Sequence, residues 1–215
     1  TAFLMDASAL REELGLPKMP TQEDFPDADG VVLLDRQDVE MHIDANSDVR
    51  TYNKVHKIQK LFRNIDDHAS VQITLYDGEI VTDISARTIK PDGTNLVLKE
   101  QDFYTISGEG KGSVLYADTR RIRFTFPGAE KGCIIEYRFA KKSQRGFWND
   151  VWRIQNYLPT LRNEYNLTIP AYLMDKQEGL GWTWKYKSYN YPNLPEPEQS
   201  EMNKPGRLSR TEKVT

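Results

Sequence analysis

The chain has 215 residues, 29 Lys and Arg against 32 Asp and Glu for a net charge of −3, and is 38% hydrophobic and 11% aromatic. That balance argues against binding nucleic acid through a surplus of basic side chains, and against a polybasic membrane-surface helix, while leaving enough apolar material for one sizeable core or two small ones. No run approaches the roughly 18 apolar residues of a bilayer span, and the first residues lack the basic-then-apolar layout of a signal peptide, so a soluble, folded domain with no membrane insertion is expected.

The text opens on Thr1 and stops at Thr215 inside the strand-like RTEKVT, as a processed or excised piece of a longer chain would. Residues 1–30 carry one helix signal: Asp6 or Ser8 as N-cap, then Ala9, Leu10 and Leu14 on one side, stopped by Gly15 and Pro17. From Pro20 to Gly30 the run of Pro, Asp, Glu and Gly reads as a loop that cannot pack, with the core beginning at Val31. Farther on, Tyr52, Val55, Ile58 and Leu61 or Phe62 recur three to four apart, with Lys54, Lys57, Lys60 and Arg63 elsewhere on the wheel. That spacing suits an amphipathic helix, whereas the β-branched and aromatic content suits a long, bulged strand, and periodicity leaves the two open.

Strand signals dominate the rest. Ala69, Val71, Ile73 and Leu75 alternate with polar neighbours, and Asp77-Gly78 predicts a type I′ turn into a second strand bearing Ile80, Ile84 and Ala86, a hairpin. Pro91-Asp92-Gly93 predicts another reversal before Leu96, Val97 and Leu98. Ile122, Phe124 and Phe126 alternate with Arg121, Arg123 and Thr125. After the Pro127-Gly128 break, Cys133, Ile135, Tyr137 and Phe139 alternate with Ile134, Glu136 and Arg138. These runs read as a second hairpin, with Glu136 across from Arg121 or Arg123 on the wet face. Leu161, Tyr165, Leu167 and Ile169 form an alternating strand fenced by Pro159 and Pro170. Pro192, Pro195, Pro197 and Pro205 then fall among polar residues. The expected architecture is all-β: a two-sheet antiparallel β-sandwich over 31–191, a short N-terminal helix with its lead-in loop at 1–30, and a Pro-rich linker at 192–215.

The inventory of chemistry is thin. Cys133 is the one cysteine, and within strand text beside Ile134 and Ile135 it reads as a buried, inert thiol rather than a nucleophile. His42, His56 and His68 lack ligand spacing, so no metal is expected, and no cofactor either. Gly108, Gly110 and Gly112 have no helix behind them and read as a hairpin tip, not a phosphate cradle. Asn166-Leu167-Thr168 has glycosylation spacing but sits in a strand between prolines. The most suggestive group is aromatic: on a strand, Trp182, Trp184 and Tyr186 share one face. Such a face is either core or domain seam, or a platform for stacking on a sugar ring.

Four stretches together resemble a family: VRTYNKVHKIQ (49–59), ISARTIKPDGTNLVL (84–98), IRFTFPGAEKGCIIEYRF (122–139) and YLPTLRNEYNLTIP (157–170). They are similar to the bacterial domain of unknown function that precedes transglutaminase-like, papain-type domains. The resemblance runs from about Val31 to Trp184 and implies a two-sheet β-sandwich with a strand at Tyr52 to Phe62. It also implies a periplasmic, secreted or cell-surface protein in which a Cys-His-Asp domain follows, beyond this sequence. No catalytic residue transfers from it, because each matching Pro and Gly has a turn-chemistry explanation. The expected function is therefore a non-catalytic accessory module that positions or shields a transglutaminase-like domain of the same chain. The alternative is a glycan-binding module that uses Trp182, Trp184 and Tyr186.

Overall fold

The computed structural model describes residues 6–107, 119–143, 157–174, 198–201 and 207–214. Helix α1 spans Ala7–Glu13, with Asp6 as its N-cap accepting from the backbone N–H groups of Ser8 and Ala9. At its end Gly15 takes φ +66°, and the N–H groups of Gly15 and Leu16 return to the carbonyls of Glu12 and Arg11. This double closure is the glycine-terminated stop that the Gly15 signal predicts.

The strands are β1 (Gly30–Ile43), β2 (Val49–Leu61), β3 (Ser70–Leu75), β4 (Glu79–Ile89), β5 (Asn95–Val97), β6 (Tyr104–Ser107), β7 (Arg120–Thr125), β8 (Ile134–Ser143), β9 (Asn163–Pro170), β10 (Glu198–Glu201) and β11 (Arg207–Val214). Single helical turns α2 (Ile65–His68) and α3 (Ala171–Met174) complete the described elements. They build an eight-stranded sheet in the order β10-β11-β9-β1-β2-β8-β4-β5 and a three-stranded sheet β3-β7-β6. The fold is an all-β sandwich, as expected. The β1–β9 pair is parallel and the other pairs antiparallel.

The ambiguous segment at 49–61 is a strand, held on one side by β1 and on the other by β8. Pairing on both edges outweighs the helical spacing, since the backbone groups of a central strand are satisfied only by its neighbours. The Pro91-Asp92-Gly93 hairpin forms as predicted, with Lys90 and Thr94 bonded across the loop and Gly93 at φ +88°.

Both other predicted hairpins are corrected. β3 pairs with β7 in the small sheet, while β4 pairs with β5 and β8 in the large one, so Asp77-Gly78 carries the chain from one layer to the other. Among the residues of that turn only Gly78 has a positive φ, which is not the type I′ geometry that matches hairpin twist. Likewise β7 and β8 lie in different sheets, and Glu136 faces neither Arg121 nor Arg123. Two further corrections follow. β10 and β11 fall inside the stretch read as a linker and extend the large sheet from β9. The lead-in loop does pack: Pro20 is buried and Phe25 lies against the core.

Two apolar clusters result from strict alternation along β4 and β8. On the inner face, Ala86, Cys133 and Ile135 meet Ile73, Leu75, Phe124 and Phe126 of the small sheet. Phe124 is the hub, in edge contact with Phe103, Phe126 and Tyr137 at centroid distances of 5.1, 5.6 and 5.9 Å. On the outer face, Ile89 and Ile134 join Val31, Leu33, Leu34 and Ile58 beneath Leu10 and Leu14 of α1. The N-terminal segment thus closes one half of the outer face and leaves the other half polar.

Candidate functional site

The polar half of the outer face contains a groove of about 230 Å³ whose lining includes Arg36, Asp38, Tyr52, Lys54, His56, Asp83, Arg138 and Ala140. Register places these side chains. Ser85, Arg138, His56, Arg36 and Glu164 form one row across β4, β8, β2, β1 and β9, and Asp83, Ala140, Lys54, Asp38 and Asn166 form the next. Opposed residues share a face, so ten positions on five strands converge without any loop. A register shift between Val81 and Asp83 re-aims β4 at the groove's edge.

Beside the groove, one register row along the same face, lies a charge cluster. Glu136 and Arg87 are both 0% exposed, opposite each other on β8 and β4. Arg87 donates through Nε at 2.7 Å and sits with Nη2 at 2.6 Å from the same Glu136 oxygen, Oε2. The other oxygen, Oε1, lies 2.8 Å from His56 Nε2 and accepts from Arg138 Nη2 at 2.7 Å. Burial works against the charge on Glu136 more than any other influence. The hydrogen bond with His56, the attraction and hydrogen bond of Arg87 and the charge of Arg138 together outweigh it and hold the carboxyl below its ordinary value. Farther along the face, Arg36 Nε binds Asp38 at 2.9 Å and Arg162 pairs with Glu164.

Cys133 immediately precedes β8, is 0% exposed, and has its thiol pKa raised by burial. His42 is exposed on β1, and His68 Nε2 stands 3.6 Å from Asp29. Among the described residues, no three His, Cys, Asp or Glu side chains gather as a metal site. Trp182, Trp184 and Tyr186 lie outside the described residues, as does the Gly108 to Gly112 run. Sequence reasoning missed the Arg87–Glu136 pair. Its signal was a charged residue embedded in apolar text on both faces, CIIEYRF and ISARTI, as in strands covered on both sides.

The family model of a Domain of Unknown Function with solved-structure structure (DUF3857) matches residues 44–209. The chain belongs to this family. A crystal structure of a putative protease from Parabacteroides distasonis resembles the DUF3857 chain at 13% identity with a TM-score of 0.63, covering 86% of this chain and 35% of that one. At that identity the likeness concerns the fold alone, and the chain spans about a third of that protein's length. A putative nutrient binding protein from Legionella pneumophila is similar at 9% identity and a TM-score of 0.36, over 87% of this chain and 63% of that one, too distant to carry an argument. A search of curated proteins finds no match.

Proposed function

We propose that this DUF3857 chain is a non-catalytic β-sandwich module of a longer bacterial envelope protein, where it positions or partly shields an adjoining transglutaminase-like domain. The observation that carries the reading is the state of Cys133. The one thiol of the sequence is sealed between the sheets, with burial opposing the thiolate a nucleophile needs. The Arg87, Glu136, His56 and Arg138 side chains beside the groove bond one another, which supports a structural ion cluster rather than an acid–base pair held ready for substrate. The fold's recurrence as a third of a larger protein supports a modular role.

The gene that encodes this segment provides the first test: a papain-type Cys-His-Asp domain in the same reading frame is expected, and its absence overturns the proposal. The second test measures the activity of the long protein against that of the enzyme domain alone. A module that positions or shields changes KM or the substrate range, whereas identical kinetics count against the role.

A further inference from the structure

Seven of the arginines with described side chains form an ion pair with a carboxylate. The other three are neighbours on β7: Arg120, Arg121 and Arg123. Arg120 Nη2 donates to the Glu79 carbonyl at 2.7 Å and is thereby tied to the start of β4. Arg121 and Arg123 alternate with Ile122 and Phe124 of the inner cluster, so both project from the outer face of the small sheet. Register completes that face. Gln72, Arg123 and Tyr104 form one row across β3, β7 and β6, and Thr74, Arg121 and Ile106 form the next.

Neither row holds a carboxylate, and the row beyond them pairs Ser70 with Thr125, hydroxyl to hydroxyl at 3.1 Å. Acidic groups at the ends of the sheet are engaged elsewhere: Glu79 by Lys141 and the Tyr76 N–H, and Asp102 by the Lys99 N–H. Asp66, Asp67, Asp77 and Glu100 also flank it, and among the described residues none of them forms an ion pair with Arg121 or Arg123. Arg123 gives its Nε to the neutral Gln72 Oε1 at 2.8 Å, and Arg121 has no hydrogen bond among the described residues. Two positive charges on adjacent rows, roughly 6.7 Å apart at the backbone, therefore face solvent with no opposing charge. Exposed apolar surface stands beside each of them, since Tyr104 is 64% exposed and Ile106 45%.

We propose that this face binds an acidic segment of another protein in extended conformation, with carboxylates two residues apart. A strand lying along β7 repeats its same-face side chains at the same roughly 6.7 Å, so one carboxylate meets each guanidinium, whose planar fork can take both oxygens. Exposed ion pairs contribute little singly, but a partner that covers them excludes water, and Tyr104 and Ile106 supply the apolar surface on which such a cover rests. Composition favours a protein over an acidic polysaccharide. Tyr and Arg are enriched where proteins meet, and the aliphatic Ile106 gives a sugar ring no aromatic face to stack on. The inference goes beyond the accessory role proposed above and does not depend on it, since it names the chemistry of a partner and not the domain that bears it.

Fluorescence anisotropy at low ionic strength tests this, with the whole chain titrated into a capped, labelled peptide of alternating Glu and Thr. Saturable binding is expected, and added salt should weaken it. Arg121→Gln combined with Arg123→Gln should weaken the peptide at least about tenfold. If that pair fails to fold, Arg121→Lys with Arg123→Lys keeps the charge and should still weaken binding, because the fork is lost. An isomeric peptide with its glutamates in one block has the same charge without the spacing and should bind more weakly. Tyr104→Ser should also weaken the alternating peptide, while Lys54→Gln on the other sheet should leave it unchanged. Polygalacturonate stands for the other class of macromolecule. No saturable binding, binding that survives the arginine variants, equal binding of the two peptides, or polygalacturonate held more tightly than the alternating peptide through the same arginines overturns the proposal.

Discussion

Replacing Arg87 with Met exposes what the buried cluster contributes. In the parent, Glu136 Oε2 is served by Arg87 and Oε1 by His56 and Arg138, all within 2.8 Å. Arg87→Met leaves Oε2 without its guanidinium in a position with no access to water, and removing one partner of such a pair costs about 3–5 kcal/mol. Glu136→Leu strands the fully buried Arg87 and costs a similar amount. The double variant strands neither of that pair and takes the carboxylate only from the half-buried His56 and Arg138, so its loss should fall well below the sum of the singles. Urea unfolding followed by far-UV circular dichroism measures all four proteins at pH 7. Acid dependence gives a second readout. The Glu136 carboxyl is depressed below its ordinary value of 4.5, so its contribution is complete above that pH and is lost as acid approaches the lower folded value. The parent's midpoint should drop as pH falls below about 4.5, and the double variant should lose less of it over the same range. An Arg87→Met cost under about 1 kcal/mol, or a double variant as unstable as both singles added, refutes the account.

Other perturbations address the remaining claims. Leu10→Ala should cost about 2–5 kcal/mol by opening a cavity under α1, and Asp6→Ala about 1 kcal/mol by removing the cap on Ser8 and Ala9; thermal unfolding orders the two. Gly30→Ala places a methyl 2.5 Å from the Lys60 carbonyl oxygen, a backbone atom that cannot step aside, so it should cost about 1–3 kcal/mol in urea unfolding. Gly93→Ala meets no atom within 4 Å but must hold φ +88°, so it should cost about 1 kcal/mol through strain alone. Cys133 should react with a thiol reagent at pH 8 only as fast as the chain opens and at once in urea, and rapid labelling of the native protein would contradict its burial.

The sandwich was legible because its evidence is local. Alternation at Val71 to Leu75 and at Ile122 to Phe126 marks strands, Gly15 and Gly93 supply positive φ where the chain must turn, and Asp6 caps a helix whatever lies beyond it. Layer membership was not legible, because it is decided far along the chain. Asp77-Gly78 closes a tight turn, with Glu79 N–H bonded to the Tyr76 carbonyl at 2.9 Å, and a hairpin and a step between sheets begin with that same turn. What separates them is the partner of β3, which is β7 about fifty residues later, and the demand that Leu75 and Ala86 join one apolar cluster from opposite layers. The same distance hid the site. Glu136 has the alternation of a solvent-facing residue until β4 sets Arg87 beside it and β2 sets Ile58 on its other flank, after which the position is sealed and only a paired charge is tolerable there. Burial of that pair in turn fixes the side of β8 on which Arg138 and Ala140 emerge, so the groove's charge pattern follows from strand order and not from any contiguous motif.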